Sequence, residues 1–296
     1  MPSTPVEAYE YDLPAERIAQ RPVEPRDASR LLHLEPGGGL ADHAFTDLPE
    51  LLAPGDLLVV NDTRVRAARL RGTRPGGGAA EILLLRRLDG GPGEATTATY
   101  AALVRPARRL PPGTVVEVGE GLVATAGARL AGHPGAREVT LAAAGPVDEA
   151  VEHAGTVPLP PYIRERLDDG ERYQTVFSGA APPESAAAPT AGLHFTPRIL
   201  GRLRERGVET ARIRLEVGLG TFTPIRTAAV EDHVMHGERF EVPAETARAT
   251  AAARARGGRV VAVGTTVVRA LESRTAPGGG RDGGEGDDRA VPAAGR

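Results

Sequence analysis

The chain has 296 residues, 41% of them hydrophobic, and a formal net charge of −3, which is enough for one large domain or two smaller ones and gives no global pull toward nucleic acid. It has no cysteine and no lysine, which excludes disulfides, thiolate chemistry, cysteine-built zinc sites, Schiff-base lysines and a lysine-bearing phosphate loop. No run approaches the ~18 to 20 apolar residues of a membrane span, and the polar stretch Met1 to Leu13 has no apolar signal core, so the expectation is a cytoplasmic protein with no membrane partner.

In chain order, "YDLPAERIAQRPVEPRDASRLL" (Tyr11 to Leu32) predicts a short helix opened by Pro14 and ended by Pro22 and Pro25. "LLAPGDLLVVNDTRV" follows, a Pro-Gly-Asp turn into an apolar strand, Leu57 to Val60, with polar residues beyond its end. From Ala67 to Gly145 short alternating or β-branched runs recur between Gly- and Pro-rich turns, the texture of an all-β barrel or sandwich. We read residues 67–145 as an inserted barrel-like β domain and residues 1–66 with 146–273 as a discontinuous α/β main domain, a mixed sheet with covering helices. In the second half Thr196 and Pro197 fit an N-cap and first helical proline, and Gly207 a helix stop. "TARIRLEVGLGTF" reads as a strand, "PAETARATAAARARGG" as a helix, "RVVAVG" as a buried strand and "TTVVRALES" as the next helix. Residues 274–296 are Gly- and Asp-rich, almost free of apolar residues, and predict a disordered tail.

Several stretches offer sites, each with a plainer alternative. Asn61, Asp62, Thr63 and Arg64 lie just past a buried strand, where open α/β sheets place ligands; an Asx-type turn with a surface ion pair explains them equally well. Gly218 and Gly220 in "GLGTF" lack the third glycine of a nucleotide loop and suit a tight strand exit. Thr265 and Thr266 open a helix whose free N–H groups suit an anion, or they merely cap it. His233 and His236 are three apart, but Gly237 breaks the helix and no third ligand is at hand, so a general base or hydrogen-bonding role is expected and no metal. Arg105, Arg108 and Arg109 could meet an RNA backbone. All 36 basic residues are Arg, however, so a solvated turn accounts for that cluster as readily. "SAAAPTAGLHF" runs small residues into a turn that delivers His194.

The ordered set "YDLPAERIAQRPVEPRDASRLL", "PGDLLVVNDTRVRAARLRG", "ALVRPARRLPPG", "LPPYIR", "ERYQTVF", "AAPTAGLHFT", "VGLGTFTPI", "HVMHGE" and "GGRVVAVGTTVVRALES" resembles the S-adenosylmethionine:tRNA ribosyltransferase-isomerases of queuosine biosynthesis. The resemblance implies a monomeric enzyme with an α/β domain and an inserted β-barrel. It implies transfer and isomerisation of the ribosyl part of S-adenosylmethionine onto 7-aminomethyl-7-deazaguanine in tRNA, giving epoxyqueuosine-tRNA, adenine and methionine. S-adenosylmethionine is then a substrate, and no cofactor is needed. His194, His233 and His236 become the acid/base candidates. Asn61, Asp62, Thr63, Arg64, Thr190, Gly220, Thr265 and Thr266 become candidate substrate binders, and Arg105, Arg108 and Arg109 candidate tRNA binders. Two features depart from the family. Glu216 replaces the histidine of "LHVGLGTF", and the Gly/Asp tail stands where a further strand and a His/Leu-rich segment usually follow. The alternative is therefore a shortened relative, weakly active or inactive, that only binds tRNA or S-adenosylmethionine.

Overall fold

The computed structural model describes residues 3–89, 93–119, 121–131, 135–179, 183–218, 225, 227–233, 237–273 and 284–287. In chain order its strands and helices are β1 (Arg30–Leu34), β2 (Leu40–Ala44), α1 (Leu48–Leu51), β3 (Leu57–Asn61), β4 (Arg69–Thr73), β5 (Ala79–Arg87), β6 (Thr97–Arg105), β7 (Val115–Gly119), β8 (Leu122–Arg129), β9 (Ala136–Ala142) and α2 (Val147–Ala154). The second half adds α3 (Pro197–Glu205), β10 (Glu209–Leu215), β11 (Arg239–Val242), α4 (Ala244–Ala255), β12 (Val260–Ala262), α5 (Thr265–Ser273) and β13 (Gly284–Asp287).

The unbroken apolar run of β3 follows from its place in the middle of a sheet covered on both faces. The order is β12-β3-β10-β11-β13, with β12 and β10 parallel to β3 and β11 antiparallel to β10. Leu57 and Val59 point into a core with Ile213, Val242 and Val267, whereas Leu58 and Val60 point into the opposite core with Phe195, Ile199 and Leu203. Alternation along one strand thus feeds two cores.

Strands β4 to β9 close into a six-stranded antiparallel barrel, in the order β4-β5-β6-β9-β8-β7. Here the period is two: β8 and β9 alternate buried with less buried positions, as a sheet with one packed face requires. Tyr100 is fully buried in this barrel, donates its hydroxyl to Asp148 at 3.0 Å and is pushed up to about 12 by burial. Val147 and Val151 bring α2 into the same core. Arg66 lies 5.0 Å over the Tyr100 ring and donates Nε–H to the Pro183 carbonyl, coupling barrel and sheet.

Two expectations change. The segment after Pro14 is only a 3-10 turn, Ala15–Arg17, with no buried residue; nothing apolar anchors it, so a longer helix gains no packing energy. In the tail expected to be disordered, Gly284–Asp287 run antiparallel to β11. Backbone pairing at an open sheet edge needs no apolar side chain, which composition alone could not register.

The turn that feeds β3 is held by Asp56, 2% exposed. It accepts from Ala53 N, from Arg259 N and from Arg259 Nε at 3.0 Å, joining the starts of β3 and β12. Burial opposes its ionisation, but the Arg259 and backbone hydrogen bonds outweigh that and hold the carboxyl down at about 2. A folded pKa below the ordinary 3.8 makes the contribution complete above that value and lost as pH falls through about 2. Asp56→Asn is therefore expected to cost about 2 kcal/mol at neutral pH. That cost should shrink at the acid end, as urea midpoints taken at pH 7 and in acid will show.

Candidate active site

"PTAGLHF" forms a 3-10 turn, Thr190–His194, that stops before α3 because Thr196 caps the helix from outside. Thr196 Oγ1 accepts from Ile199 N at 3.2 Å and donates to Asp27 at 2.7 Å, and Arg198 donates to the same carboxylate oxygen at 3.0 Å. Asp27 is 1% exposed. Burial works against its charge, and the hydrogen bonds from Thr196 and Arg198 prevail, lowering its pKa. This carboxylate fastens the 26–28 turn to the start of α3, and Ser29 just beyond lies 2.8 Å from His194 Nδ1. Phe45 supports the imidazole from one side, with ring centroids 5.3 Å apart.

The small residues before this turn have packing roles. Ala186, Ala187 and Ala188 are 1%, 3% and 6% exposed, so their size suits the core. Gly192 has a similar reason: a Cβ there would stand 3.0 Å from Thr175 Cγ2.

His194 and Thr190 open into a cleft of about 820 Å³, bounded also by the 19–29 and 159–173 segments. That volume lies within the range of small-molecule sites. Leu159, Pro160, Tyr162 and Leu193 supply apolar wall. Two ion pairs lie along the rim, Arg21 with Glu165 and Arg172 with Glu24. Burial pushes the Tyr173 phenol in the wall up to about 12, so it remains a proton-bearing group at neutral pH. Burial, and then the positive charge of Arg172, hold His194 below the ordinary histidine value of 6.5. A neutral imidazole on a preset hydrogen bond is equipped to take a proton.

The other expected site residues divide. Asn61 is buried and its amide is fully engaged: it donates to the Leu215 carbonyl and to Thr266 Oγ1, and accepts from Thr63 N and Leu215 N. It joins β3, β10 and α5 and has no donor or acceptor left for a ligand. Thr63 is likewise buried. Asp62 sits 3.5 Å from Arg214, and Arg64 pairs with Glu171 beside the cleft wall. Thr266 is tied to Asn61 and Thr265 is exposed, both on the first turn of α5. That turn abuts the histidine-bearing one: a Cβ on Gly264 would lie 3.2 Å from Ala191 Cβ. His233 follows the 3-10 turn Val230–Asp232 and does not line the cleft. Gly220 and His236 lie outside the described residues. Among the described residues no three His, Asp or Glu side chains gather as a metal site, and no helix is long and apolar enough to cross a membrane. Arg105, Arg108 and Arg109 are exposed at a corner of the barrel.

Sequence reasoning passed over Ser29, which meets His194 Nδ1, Arg172, whose charge acts on the imidazole, and Asp27, which fastens the neighbouring turn to α3. It also passed over Glu238, 8% exposed, which accepts from Gly218 N at 3.0 Å and from Arg269 Nη1 at 2.7 Å. Arg269 sits one turn after Thr265 inside "TTVVRALES", a signal that was available. Glu216 was visible as a departure. Burial and the neighbouring Glu184 carboxyl, which is hydrogen-bonded to it, raise its pKa well above the usual carboxylate range.

A doubly covered α/β sheet, an attached barrel and a neutral histidine in a cleft of small-molecule size define an enzyme of the α/β class with acid/base capability. The comparisons are more specific. The family model described as queuosine biosynthesis protein matches residues 6–288, so the chain belongs to that family. An S-adenosylmethionine:tRNA ribosyltransferase-isomerase of Moorella thermoacetica is 51% identical over 273 residues, covering 90% of this chain and 76% of the relative. One from Anaeromyxobacter sp. strain Fw109-5 is 54% identical over 269 residues, covering 90% of this chain and 75% of the relative. A crystal structure of S-adenosylmethionine tRNA ribosyltransferase from Thermotoga maritima is 34% identical, covers 89% of this chain and 71% of that one, and has a TM-score of 0.39.

His194 is expected to titrate below 6.5 in the folded protein. Arg172→Gln removes a repelling cation and should raise that value. Histidine ring resonances followed by NMR across pH will show both the position and the direction.

Proposed function

We propose that this chain is a tRNA-modifying S-adenosylmethionine:tRNA ribosyltransferase-isomerase. It transfers the ribosyl moiety of S-adenosylmethionine to the aminomethyl group of 7-aminomethyl-7-deazaguanine in tRNA and isomerises it, giving epoxyqueuosine-tRNA with release of adenine and methionine. The observation that carries this reading is the family match across residues 6–288 on a chain whose most distinctive motif puts His194 in the cleft.

The residues supply the parts such a reaction needs. The 5′ carbon beside a sulfonium is acidic, and the neutral His194 is the base. In the tautomer that donates Nδ1–H to Ser29 Oγ, 2.8 Å away, the Nε2 lone pair takes the proton. Leu159, Pro160, Tyr162 and Leu193 give a substrate an apolar wall to pack against. Thr190 on the same turn is a substrate hydrogen-bonder, and the exposed Thr265 on the adjoining helix start suits the substrate carboxylate. His236 is the candidate for protonating the departing adenine, since His233 does not line the cleft.

The test is adenine release from S-adenosylmethionine in the presence of tRNA bearing 7-aminomethyl-7-deazaguanine. His194→Ala should lower turnover by about 10²- to 10⁴-fold with little change in melting temperature. In the wild type the acid limb of the rate profile should fall below pH 6.5, because a lowered pKa keeps the base unprotonated further into acid. A wild-type protein that binds tRNA or S-adenosylmethionine but releases no adenine would instead be a binding-only relative. A fully active His194→Ala protein would remove that residue from the mechanism.

A further inference from the structure

The barrel carries a cluster that chemistry in the cleft does not use. Strand β6 ends at Arg105, and the 3-10 turn Ala107–Arg109 follows before Leu110 plunges, fully buried, into the barrel core. Arg105, Arg108 and Arg109 are therefore displayed on an exposed turn between two anchored points. Underneath lies Arg137 of β9, only 5% exposed. Its guanidinium donates to the Leu110 carbonyl, and to the Ala107 carbonyl at 3.5 Å, so it braces the turn from inside. Strand β8 places the exposed Arg129 directly across from Arg137. Among the described residues none of these five arginines is ion-paired to a carboxylate; the ion pairs of the barrel fall on Arg71 and Arg87.

Burying an arginine against carbonyls with no carboxylate, next to another arginine, costs desolvation and repulsion. Burial and the Arg129 charge lower the pKa of Arg137, although an arginine stays cationic at neutral pH. A chain of net charge −3 has no global field to draw a polyanion, so a local concentration of unpaired guanidinium must do so. Forked donors spread over a convex turn match successive phosphates along a backbone better than one small anion.

We propose that this barrel corner binds the phosphodiester backbone of tRNA, with Arg105, Arg108 and Arg109 in contact, Arg129 extending the surface, and Arg137 as the positioning residue that sets the turn. The inference rests on the tRNA-modifying reading above and extends it to a partner surface and to a buried residue that nothing in the sequence singled out.

The experiment measures binding of the full chain to tRNA over a series of salt concentrations, with KM for tRNA and for S-adenosylmethionine from adenine release. Arg108→Gln/Arg109→Gln is expected to weaken tRNA binding about tenfold at 0.1 M salt and to reduce the salt slope by about two. Arg137→Met should lower both affinity and slope although every exposed arginine remains. That loss should appear in KM for tRNA and not in KM for S-adenosylmethionine, a split that general loss of structure does not give. Arg137→Lys should fall between Arg137→Met and wild type, and Arg248→Gln on α4 should match wild type. Unchanged affinity and slope in the double variant would overturn the surface. If Arg137→Met does not fold, Arg137→Lys decides the positioning role: a wild-type KM for tRNA in that variant would overturn it. Failure of the enzyme reading looks different, since the wild type would then release no adenine while the arginine variants still altered tRNA binding.

Discussion

The buried amide of Asn61 is the constraint on which the arrangement depends. It stands where β3 leaves the sheet, and its four hydrogen-bonding positions are taken by Thr63, by both backbone groups of Leu215 and by Thr266. Each such group, if buried without a partner, costs about 1–3 kcal/mol, so the set tends to hold together. One side chain thereby fixes the exit of β3 toward the barrel, the end of β10 and the first turn of α5. Because Gly264 at the head of α5 packs on Ala191, the same anchor reaches the turn that carries His194. The site is thus built outward from a satisfied polar group in the core, and its chemistry sits one packing layer away.

A second fastening works from the opposite direction. Asp27 takes the Thr196 hydroxyl and the Arg198 guanidinium, joining the N-terminal loops to α3. His194 lies between these two fastenings, with Ser29 on Nδ1 and Phe45 against the ring. Orientation of this histidine is therefore a property of packed structure, which is what acid/base chemistry needs from its base.

What was legible in the sequence was what depends on local pattern. The Leu57–Val60 run announced a strand buried on both faces. The alternation of β8 and β9 announced a one-sided sheet, and Thr196–Pro197 announced the start of α3 within a residue. What was not legible depends on partners distant in the chain. Asn61 looked like a ligand group because polar residues at a strand end often are, and only the positions of Leu215 and Thr266 show its capacity to be used up. The alanines before His194 read only as small residues running into a turn, and only their burial shows that they pack the core. Arg137 looked like one more arginine in a lysine-free chain. Composition could not separate Arg21 and Arg172, which meet carboxylates at the cleft rim, from the unpaired arginines on the barrel, because the distinction lies in whether a carboxylate stands nearby in space.

That distinction extends to the protons. Burial lowers the pKa of His194 and raises that of Glu216, and in both cases it favours the uncharged form. Arg172 pushes the histidine further down, and Glu184 pushes the glutamate further up. In each place desolvation and a neighbour of like sign act in the same direction, toward the uncharged form. Glu184 also belongs to the backbone segment that leads into the histidine turn, since its amide and that of Ser185 both donate to the Arg64 carbonyl. Glu184 and His194 are thus mounted on the same stretch of chain, ten residues apart, while Glu216 comes from the position just after β10. A site arranged in this way resists being read from any single motif, because each titrating group takes its state from a neighbour supplied by another part of the chain.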